Sequence, residues 1–209
     1  MQRWLLTPMA LVLSLAACTA SRNDMHTDAH ADEPLRKLNP NPQQAYRITL
    51  TIHDAPGPLV LTDARAQYDV TNETPCGKMK PQGGPYRMTS SEPLELTRID
   101  ETTYQGTVYL DQILDEDYYG KGVCHWQFTE VRAALTATGA SKDTRFAPFL
   151  DADKVIAQQS EKRYFWNERY PSSDFEGYSD FGNPDIKHFK PELRDSLFST
   201  TLRSEKVQP

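Results

Sequence analysis

The chain has 209 residues, with 23 Lys and Arg side chains against 29 Asp and Glu, so its formal net charge is -6 at pH 7. This length fits one or two domains, and the acidic balance argues against a nucleic-acid partner, which needs a cationic footprint to bind phosphates. With 38% hydrophobic residues, the composition predicts a folded core flanked by polar segments.

The amino terminus has the layout of a signal peptide. Arg3 is followed by an apolar run that reaches Ala17 and is interrupted by a few polar residues. The run is shorter than the roughly 20 residues that span a bilayer, so we expect no transmembrane helix in the mature protein. Residues 1–17 are therefore predicted to be a signal peptide.

The apolar run ends in Leu15-Ala16-Ala17-Cys18, which resembles the lipobox of bacterial lipoproteins. The resemblance implies cleavage before Cys18 and lipidation of its sulfur, by palmitate or a similar chain, and of its new amino group; several acyl chains anchor a protein stably. In such lipoproteins, a residue other than aspartate directly after the cysteine, here Thr19, is associated with sorting to the outer membrane. We expect an envelope protein facing the periplasm, with the leaflet left open; the alternative is an ordinary secretory cleavage site.

The segment after the cysteine reads as a tether. Residues 18–43 hold acids and prolines with almost no large apolar side chain, so they are predicted to be a lipidated cysteine followed by a flexible chain. Such a chain spans roughly 25 to 30 Å. After removal of residues 1–17 the balance is 22 basic against 29 acidic side chains, a net charge of -7.

Two cysteines remain for the exported protein. In an oxidising compartment Cys76 and Cys124 are predicted to form a disulfide, which in the chain-entropy model contributes about 4 kcal/mol. A catalytic thiol is the alternative. It is disfavoured because His125, adjacent to Cys124 on an extended strand, points to the opposite face.

From residue 44 onward the hydrophobic period is mostly two, which predicts strands. The first, at Tyr46–Ile52, ends in a turn at 54–58, and a loop pinned by Cys76 is predicted at 74–85. Gly106 is expected to leave a gap or bulge. Further short strands are predicted at 59–61, 66–70, 94–99 and 104–110, the last two forming a hairpin around Asp100-Glu101.

The longest predicted strand, Val123–Thr138, changes phase near Thr129-Glu130. This change predicts a bulge or a passage between two sheets. Later segments are predicted as strands at 145–150, 163–166 and 197–202, a helical turn at 151–159 capped by Asp151 or Asp153, and an ordered surface loop at 171–192.

Short strands separated by turns favour an all-β fold. We predict an antiparallel β-sandwich, Ig-like, over residues 44–209, with a short helical segment and one long ordered loop. A small closed β-barrel is the alternative.

A search for catalytic motifs finds no nucleophile elbow, zinc motif, phosphate loop or C-x-x-C pair. The folded part contains His53, His125 and His188, none at a spacing that predicts a catalytic role. We therefore expect a protein that is not an enzyme and has no cofactor, although a triad assembled in space would escape this search.

The densest acidic cluster is an aromatic turn. A calcium loop beginning at Asp115 fails the EF-hand pattern, because Tyr119 and Trp126 stand where ligands are required. The remaining interpretations are a solvated turn, a calcium site of other geometry, or a surface that binds a partner. The cluster comprises Asp111, Asp115, Glu116, Asp117, Tyr118 and Tyr119, of which the last five are the candidates for partner binding.

A second acidic and aromatic cluster lies in the loop at 171–192. One interpretation is a loop plugged into the core by its aromatic side chains; the other is a second face of a clamp for a basic partner. The residues are Asp174, Phe175, Glu176, Tyr178, Asp180, Phe181 and Asp185, with Asp174, Glu176 and Tyr178 as the candidates for partner binding.

Several framework motifs carry a family resemblance. They are the run Asp115–Trp126, Ala137-Thr138-Gly139-Ala140 with Thr144-Arg145-Phe146, Arg163-Tyr164-Phe165-Trp166 and Leu193-Arg194-Asp195-Ser196-Leu197-Phe198. Together these resemble a family of small lipoproteins of Gram-negative bacteria, immunity proteins encoded beside toxic secreted effectors, several of them lipases. The resemblance covers most of residues 44–209 and brings no catalytic signature or binding residue with it.

The expected function is therefore that of an envelope-anchored lipoprotein, which binds a secreted effector in the periplasm and neutralises it by protein-protein binding. The alternative is an envelope hydrolase, or a lipoprotein that binds calcium or a small ligand.

Overall fold

The computed structural model describes residues 36–77 and 79–208, which form a sandwich of two mainly antiparallel β-sheets. The predicted all-β sandwich is confirmed, and within these residues neither sheet closes, so the barrel alternative is wrong. No helix in the described part is long and apolar enough to cross a bilayer. The predicted signal peptide and Cys18 lie outside the described residues.

The elements follow one another in a mostly β order. The strands are β1 (Ala45–His53), β2 (Val60–Val70), β3 (Thr89–Pro93), β4 (Thr97–Arg98), β5 (Thr103–Tyr109), β6 (Trp126–Thr136), β7 (Arg145–Phe146), β8 (Phe149–Asp151), β9 (Ser160–Trp166), β10 (Ser179–Asp180) and β11 (Leu197–Lys206). The short helix α1 covers Ala152–Ile156, and 3-10 turns cover Asn167–Arg169, Ile186–His188 and Pro191–Ser196.

The core lies between a sheet ordered β4-β5-β1-β11-β9 and a sheet ordered β10-β7-β6-β2-β3, with β8 paired to β6. Alternate residues of β1, such as Ile48 and Leu50, are fully buried, as the period of two predicts. Phe165 and Phe198 stack with ring centroids 5.1 Å apart, and Phe146 meets both edge-on. Large apolar side chains from both sheets therefore fill one contiguous core.

Two bulges explain the changes of phase in the sequence. Thr129 is the extra residue in β6, since Phe128 pairs with Tyr68 and Glu130 pairs with Gln67, which confirms the predicted bulge. Thr62 is the extra residue in β2, between the pairs of Leu61 and Asp63. The prediction of two short strands at 59–61 and 66–70 was therefore wrong, because this bulge shifts the buried set from odd to even positions within one strand.

Gly106 serves a close approach of two backbones. The pairing of β5 with β1 continues through Gly106 and Ile48 without a bulge. An added Cβ on Gly106 would overlap the carbonyl oxygen of Glu95, so the space is filled by backbone. The predicted gap or bulge at this position was wrong.

The predicted helical turn is confirmed as α1, and Asp151 occupies its N-cap position. The Asp151 side chain forms no capping hydrogen bond within the described part of the chain. Asp153 instead accepts a hydrogen bond from the backbone N–H of Lys154, at 2.9 Å. The prediction identified the capping position correctly, but the expected hydrogen bond from the helix to the capping side chain does not form there.

Residues 36–43, here called the strap, are bound to the sandwich. Arg36 donates two hydrogen bonds to the carboxylate of Glu92, at 2.5 and 2.9 Å, and Asn39 N donates to Gln112 O at 2.8 Å. Leu38 forms a β-bridge with Ile113. The flexible tether predicted for 18–43 is therefore wrong for its last eight residues, whose polar groups find partners on the fold.

Glu92 lies on the buried side of β3. This strand was not predicted, because its residues are mostly polar. Burial raises the pKa of Glu92, but hydrogen bonds from Arg36 and Ser90 outweigh this effect and hold the pKa below its usual value. The strap thus neutralises a carboxylate that would otherwise be unpaired at the edge of the core.

Cys76 and Cys124 form the predicted disulfide, with their Cα atoms 5.4 Å apart. Both are fully buried and pack with Val70 in a small second cluster at one end of the sandwich. We call this end, which also holds the strap, the disulfide pole. The turn at 54–58 and the hairpin turn at 98–102 lie at the opposite end of β1, the cleft pole, since Ile52 N donates to Thr102 O.

Candidate protein-binding surfaces

The acidic turn, residues 115–119, lies at the disulfide pole and is bonded into the fold. Asp115 Oδ1 accepts a hydrogen bond from the backbone N–H of Trp126, at 2.8 Å, and Asp115 Oδ2 lies 2.8 Å from His125 Nδ1. One carboxylate therefore fixes the turn against the start of β6.

Glu116 and Tyr118 connect the turn to the strap. Glu116 forms an ion pair with Lys37 at 2.5 Å. The Tyr118 hydroxyl accepts from the backbone N–H of Lys37, at 3.1 Å, and donates to Leu114 O, at 2.8 Å. The Tyr118 ring meets Trp126 edge-on and packs, as Tyr119 does, against the disulfide cluster.

Asp117 shapes the end of the turn. Its Oδ1 accepts from the backbone N–H of Lys121 at 2.9 Å. Desolvation raises the pKa of Asp117, but backbone N–H groups, that of Lys121 foremost, outweigh it and lower the pKa. Gly120 and Gly122, with φ of 68° and 119°, allow the chain to wrap around the carboxylate.

Asp115 and Asp117 are exposed, as the interpretation of a solvated turn expects, and both are also hydrogen-bonded to the fold. A calcium site finds no support, because the described residues contain no group of three or more acid, His or Cys side chains placed to hold a metal ion. The partner-binding prediction for Asp115, Glu116, Asp117, Tyr118 and Tyr119 stays a prediction, and the structure adds that these side chains already have partners within the fold.

The distal loop, residues 173–178, presents its aromatic side chain to solvent. Phe175 is 74% exposed, and Asp174 and Glu176 on either side of it are exposed as well. Ser173 Oγ donates to Phe175 O and accepts from Phe175 N, at 3.0 and 3.2 Å. Because this local turn holds Phe175 outward and Phe181 is also 45% exposed, the prediction of a loop plugged into the core is wrong.

The base of the distal loop is anchored by polar contacts. The buried Asp180 accepts from Arg169 at 2.6 Å, and the Arg169 guanidinium lies 5.0 Å from the centre of the Tyr178 ring. Asp185 accepts from the backbone N–H of Lys187. By contrast, neither Asp174 nor Glu176 has an ion pair or a side-chain hydrogen bond to the described residues. A cavity of about 310 Å³ lies beside the loop and is lined in part by Trp166 and Tyr178.

A larger cavity, of about 900 Å³, opens between the turn at 54–58 and the hairpin turn at 98–102. Its apolar lining includes Leu59 and Ile99, and Ile99 is 56% exposed. Arg98 holds the hairpin turn by donating to the carbonyl oxygens of Asp100 and Glu101, at 2.9 and 2.6 Å. The acids that line the cavity are Asp54, Asp100 and Glu101.

Sequence reasoning identified both turns but missed this cleft. The turns are 40 or more residues apart along the chain and become neighbours through the pairing of β1 with β5. Tyr170 joins the cleft to the distal loop, since its hydroxyl donates to Pro58 O at 3.1 Å. Both surfaces therefore lie at the cleft pole.

The three histidines of the described part each have a different neighbour. His53 contacts Thr201 at 3.0 Å, His125 contacts Asp115, and His188 meets Phe189 edge-on. None of the three lines the cavities at the cleft, the distal loop or the outer face of β2 and β6.

Comparisons of the chain with protein-family models, curated proteins and solved structures found no match. A functional proposal must therefore come from the structure itself, and we base it on the cleft and the distal loop, which lie at the pole opposite the strap.

Proposed function

We propose that this protein is an envelope-anchored lipoprotein, which binds a secreted toxic effector in the periplasm and neutralises it by protein-protein binding. One observation carries the proposal: Phe175 is 74% exposed, on a turn that orders it, between two carboxylates without partners in the described structure. Leu15-Ala16-Ala17-Cys18 supports the anchoring, as a motif of the sequence.

An exposed phenylalanine is costly to leave in water, and aromatic side chains dominate the energetics of interfaces. The Ser173 hydrogen bonds order the loop before a partner arrives, which lowers the entropy lost on binding. Asp174 and Glu176 add negative charge at the same point, and this charge attracts a basic patch on the effector.

The cleft extends the same surface. Its apolar lining around Leu59 and Ile99 suits an apolar side chain of the effector, and its acids suit a basic neighbour of that side chain. An effector that covers both the cleft and the distal loop would lie entirely at the cleft pole.

The test measures association of the lipoprotein with the product of the neighbouring gene, captured from periplasm and then purified. Asp174→Asn with Glu176→Gln should slow association about tenfold at low salt and flatten its salt dependence. Phe175→Ser should mainly speed dissociation, by about tenfold or more.

The control neutralises two exposed acids elsewhere, Glu95→Gln with Glu205→Gln, of which Glu205 lies 3.5 Å from Arg47, and should leave both rates unchanged. Unchanged binding by the Phe175 variant would move the interface away from the distal loop. Failure to capture any effector would refute the proposed function, and destruction of the effector without a stable complex would favour the hydrolase alternative.

A further inference from the structure

The outer face of the sheet that contains β2 and β6 gathers three arginines around one cavity of about 420 Å³. Arg65 comes from β2, Arg132 from β6 and Arg145 from β7. The rest of the lining is polar and comprises Asp63, Gln67, Ser91 and Glu130. We call this set the arginine cavity.

Two of these arginines oppose each other directly. Arg65 and Arg132 are paired residues of neighbouring antiparallel strands, and like charges in that position destabilise a sheet. Two directly opposed arginines are unexpected in a chain with a net charge of -6, where acidic side chains outnumber basic ones. A negatively charged group between the two guanidinium groups would remove their repulsion.

The cavity's own acids compensate only in part. Asp63 accepts from Arg65 Nε at 2.8 Å and lies 3.5 Å from Arg145 Nη2, and Glu130 pairs with Arg132. Three cations thus face two anions, which leaves one positive charge in excess. Among the described residues, Arg145 has one ionic partner, Asp63, and that contact is long, at 3.5 Å.

Hydrogen-bond donors are also left over. Each guanidinium has five N–H donors, and the buried Nε of Arg132 has no acceptor among the described residues. The Arg132 guanidinium lies 5.6 Å from the centre of the Phe181 ring, so an aromatic side chain helps to hold it in place.

We propose that the arginine cavity binds a phosphate group. Arginine forks match the oxygens of a phosphate bidentately, and an anion shared by Arg65 and Arg132 turns their repulsion into attraction. A cavity of about 420 Å³ has room for a phosphate together with the group that carries it. The source is either a soluble phosphate ester or a phospholipid headgroup. This proposal does not rest on the proposed function.

The test uses the full mature protein in detergent, titrated with inorganic phosphate and with glycerol phosphate and followed by the NMR signals of the arginine Nε–H groups. Binding is expected to shift the signals of Arg65, Arg132 and Arg145 together. Arg132→Gln and Arg145→Gln should each weaken binding at least tenfold. The control, Arg87→Gln, removes an arginine that pairs with Asp69 on the same strand as Arg65 and lies outside the lining, and should change nothing.

Vesicles separate the two sources. Recruitment of the unlipidated Cys18→Ser protein to phosphatidylglycerol vesicles but not to phosphatidylcholine vesicles, lost in Arg145→Gln, identifies a headgroup. Binding of glycerol phosphate without such recruitment identifies a soluble ester. Shifts that the Arg87 variant weakens equally indicate an adventitious ion only and overturn the proposal, as does the absence of binding.

Stability distinguishes binding from a purely structural role. If the arginines serve the phosphate, Arg65→Gln relieves a repulsion and leaves the melting temperature of the free protein unchanged or higher. If they serve the sheet, the same change lowers it by several degrees and overturns the proposal. Arg65→Lys keeps the charge but loses the fork, and should weaken phosphate binding in a protein that remains folded.

Discussion

The acidic turn and the distal loop both place carboxylates beside aromatic side chains, yet they treat these groups in opposite ways. In the turn, Asp115 and Asp117 accept backbone hydrogen bonds, and Tyr118 packs against Trp126. In the loop, Phe175 is exposed, and Asp174 and Glu176 lack ionic partners in the described part. Similar composition thus gives a bonded turn at one pole and an exposed loop, the surface we propose for recognition, at the other, and local hydrogen bonding separates the two.

The strongest way to test this comparison is to remove the disulfide beneath the acidic turn. Replacing both Cys76 and Cys124 with serine should cost about 2 to 5 kcal/mol of unfolding free energy, because the unfolded chain gains freedom and the buried cluster loses its packing. Chemical denaturation measures this loss. Equal stability of the variant and the parent would show that the turn does not depend on the bridge.

Within the turn, Asp115→Ala should cost about 1 to 2 kcal/mol, since it removes the acceptor of the Trp126 backbone N–H and the partner of His125. Asp174→Ala in the distal loop is the matched control and should change stability by less than about 0.5 kcal/mol. Thermal melting of both variants reads out the difference. Equal losses would erase the distinction between the two segments.

Acidification should act at the disulfide pole. Because the pKa of Glu92 is lowered from an ordinary value of 4.5, its stabilisation is complete above that value and is lost as the pH falls through its native pKa. The NMR signal of Arg36 Nε–H, followed from pH 7 downward, should report release of the strap. In Arg36→Gln the dependence of stability on pH should be shallower, and an unaltered slope would exclude this pair as its source.

The smallest expected effect is on the stability of the distal loop. Phe175→Ser should leave the melting temperature within about one or two degrees of the parent, because the side chain buries little apolar area. Differential scanning calorimetry checks this. A large drop in melting temperature would show that Phe175 supports the fold and would remove the main support for its role in binding.

The sequence predicted what local patterns control. The alternation in β1, the bulge at Thr129 and the pairing of Cys76 with Cys124 follow from the period of two and from cysteine count. It missed β3, whose buried face carries Ser90 and Glu92, because a polar strand has no hydrophobic signature.

The surfaces were harder to predict because they depend on pairs that are distant in the chain. The cleft requires the pairing of β1 with β5, and the arginine cavity requires Arg65 to face Arg132 across two bulged strands. Phe175 is exposed on a turn held by local hydrogen bonds, from the Ser173 hydroxyl and from the backbone N–H of Tyr178. Composition cannot separate such a loop from one that packs inward.

The strap also determines how the molecule would carry a mechanical load. In a protein anchored through Cys18 and gripped at the cleft pole, tension would enter at the Arg36–Glu92 ion pair and pass into the amino end of β1. β1, nine residues and about 30 Å long, lies between two antiparallel neighbours, pairing with β5 from Ala45 to Thr51 and with β11 from Tyr46 to His53. Pulling along its axis shears two rows of backbone hydrogen bonds together instead of opening them one at a time. The central position of β1 thus suits it to resist a force that pulls along its axis.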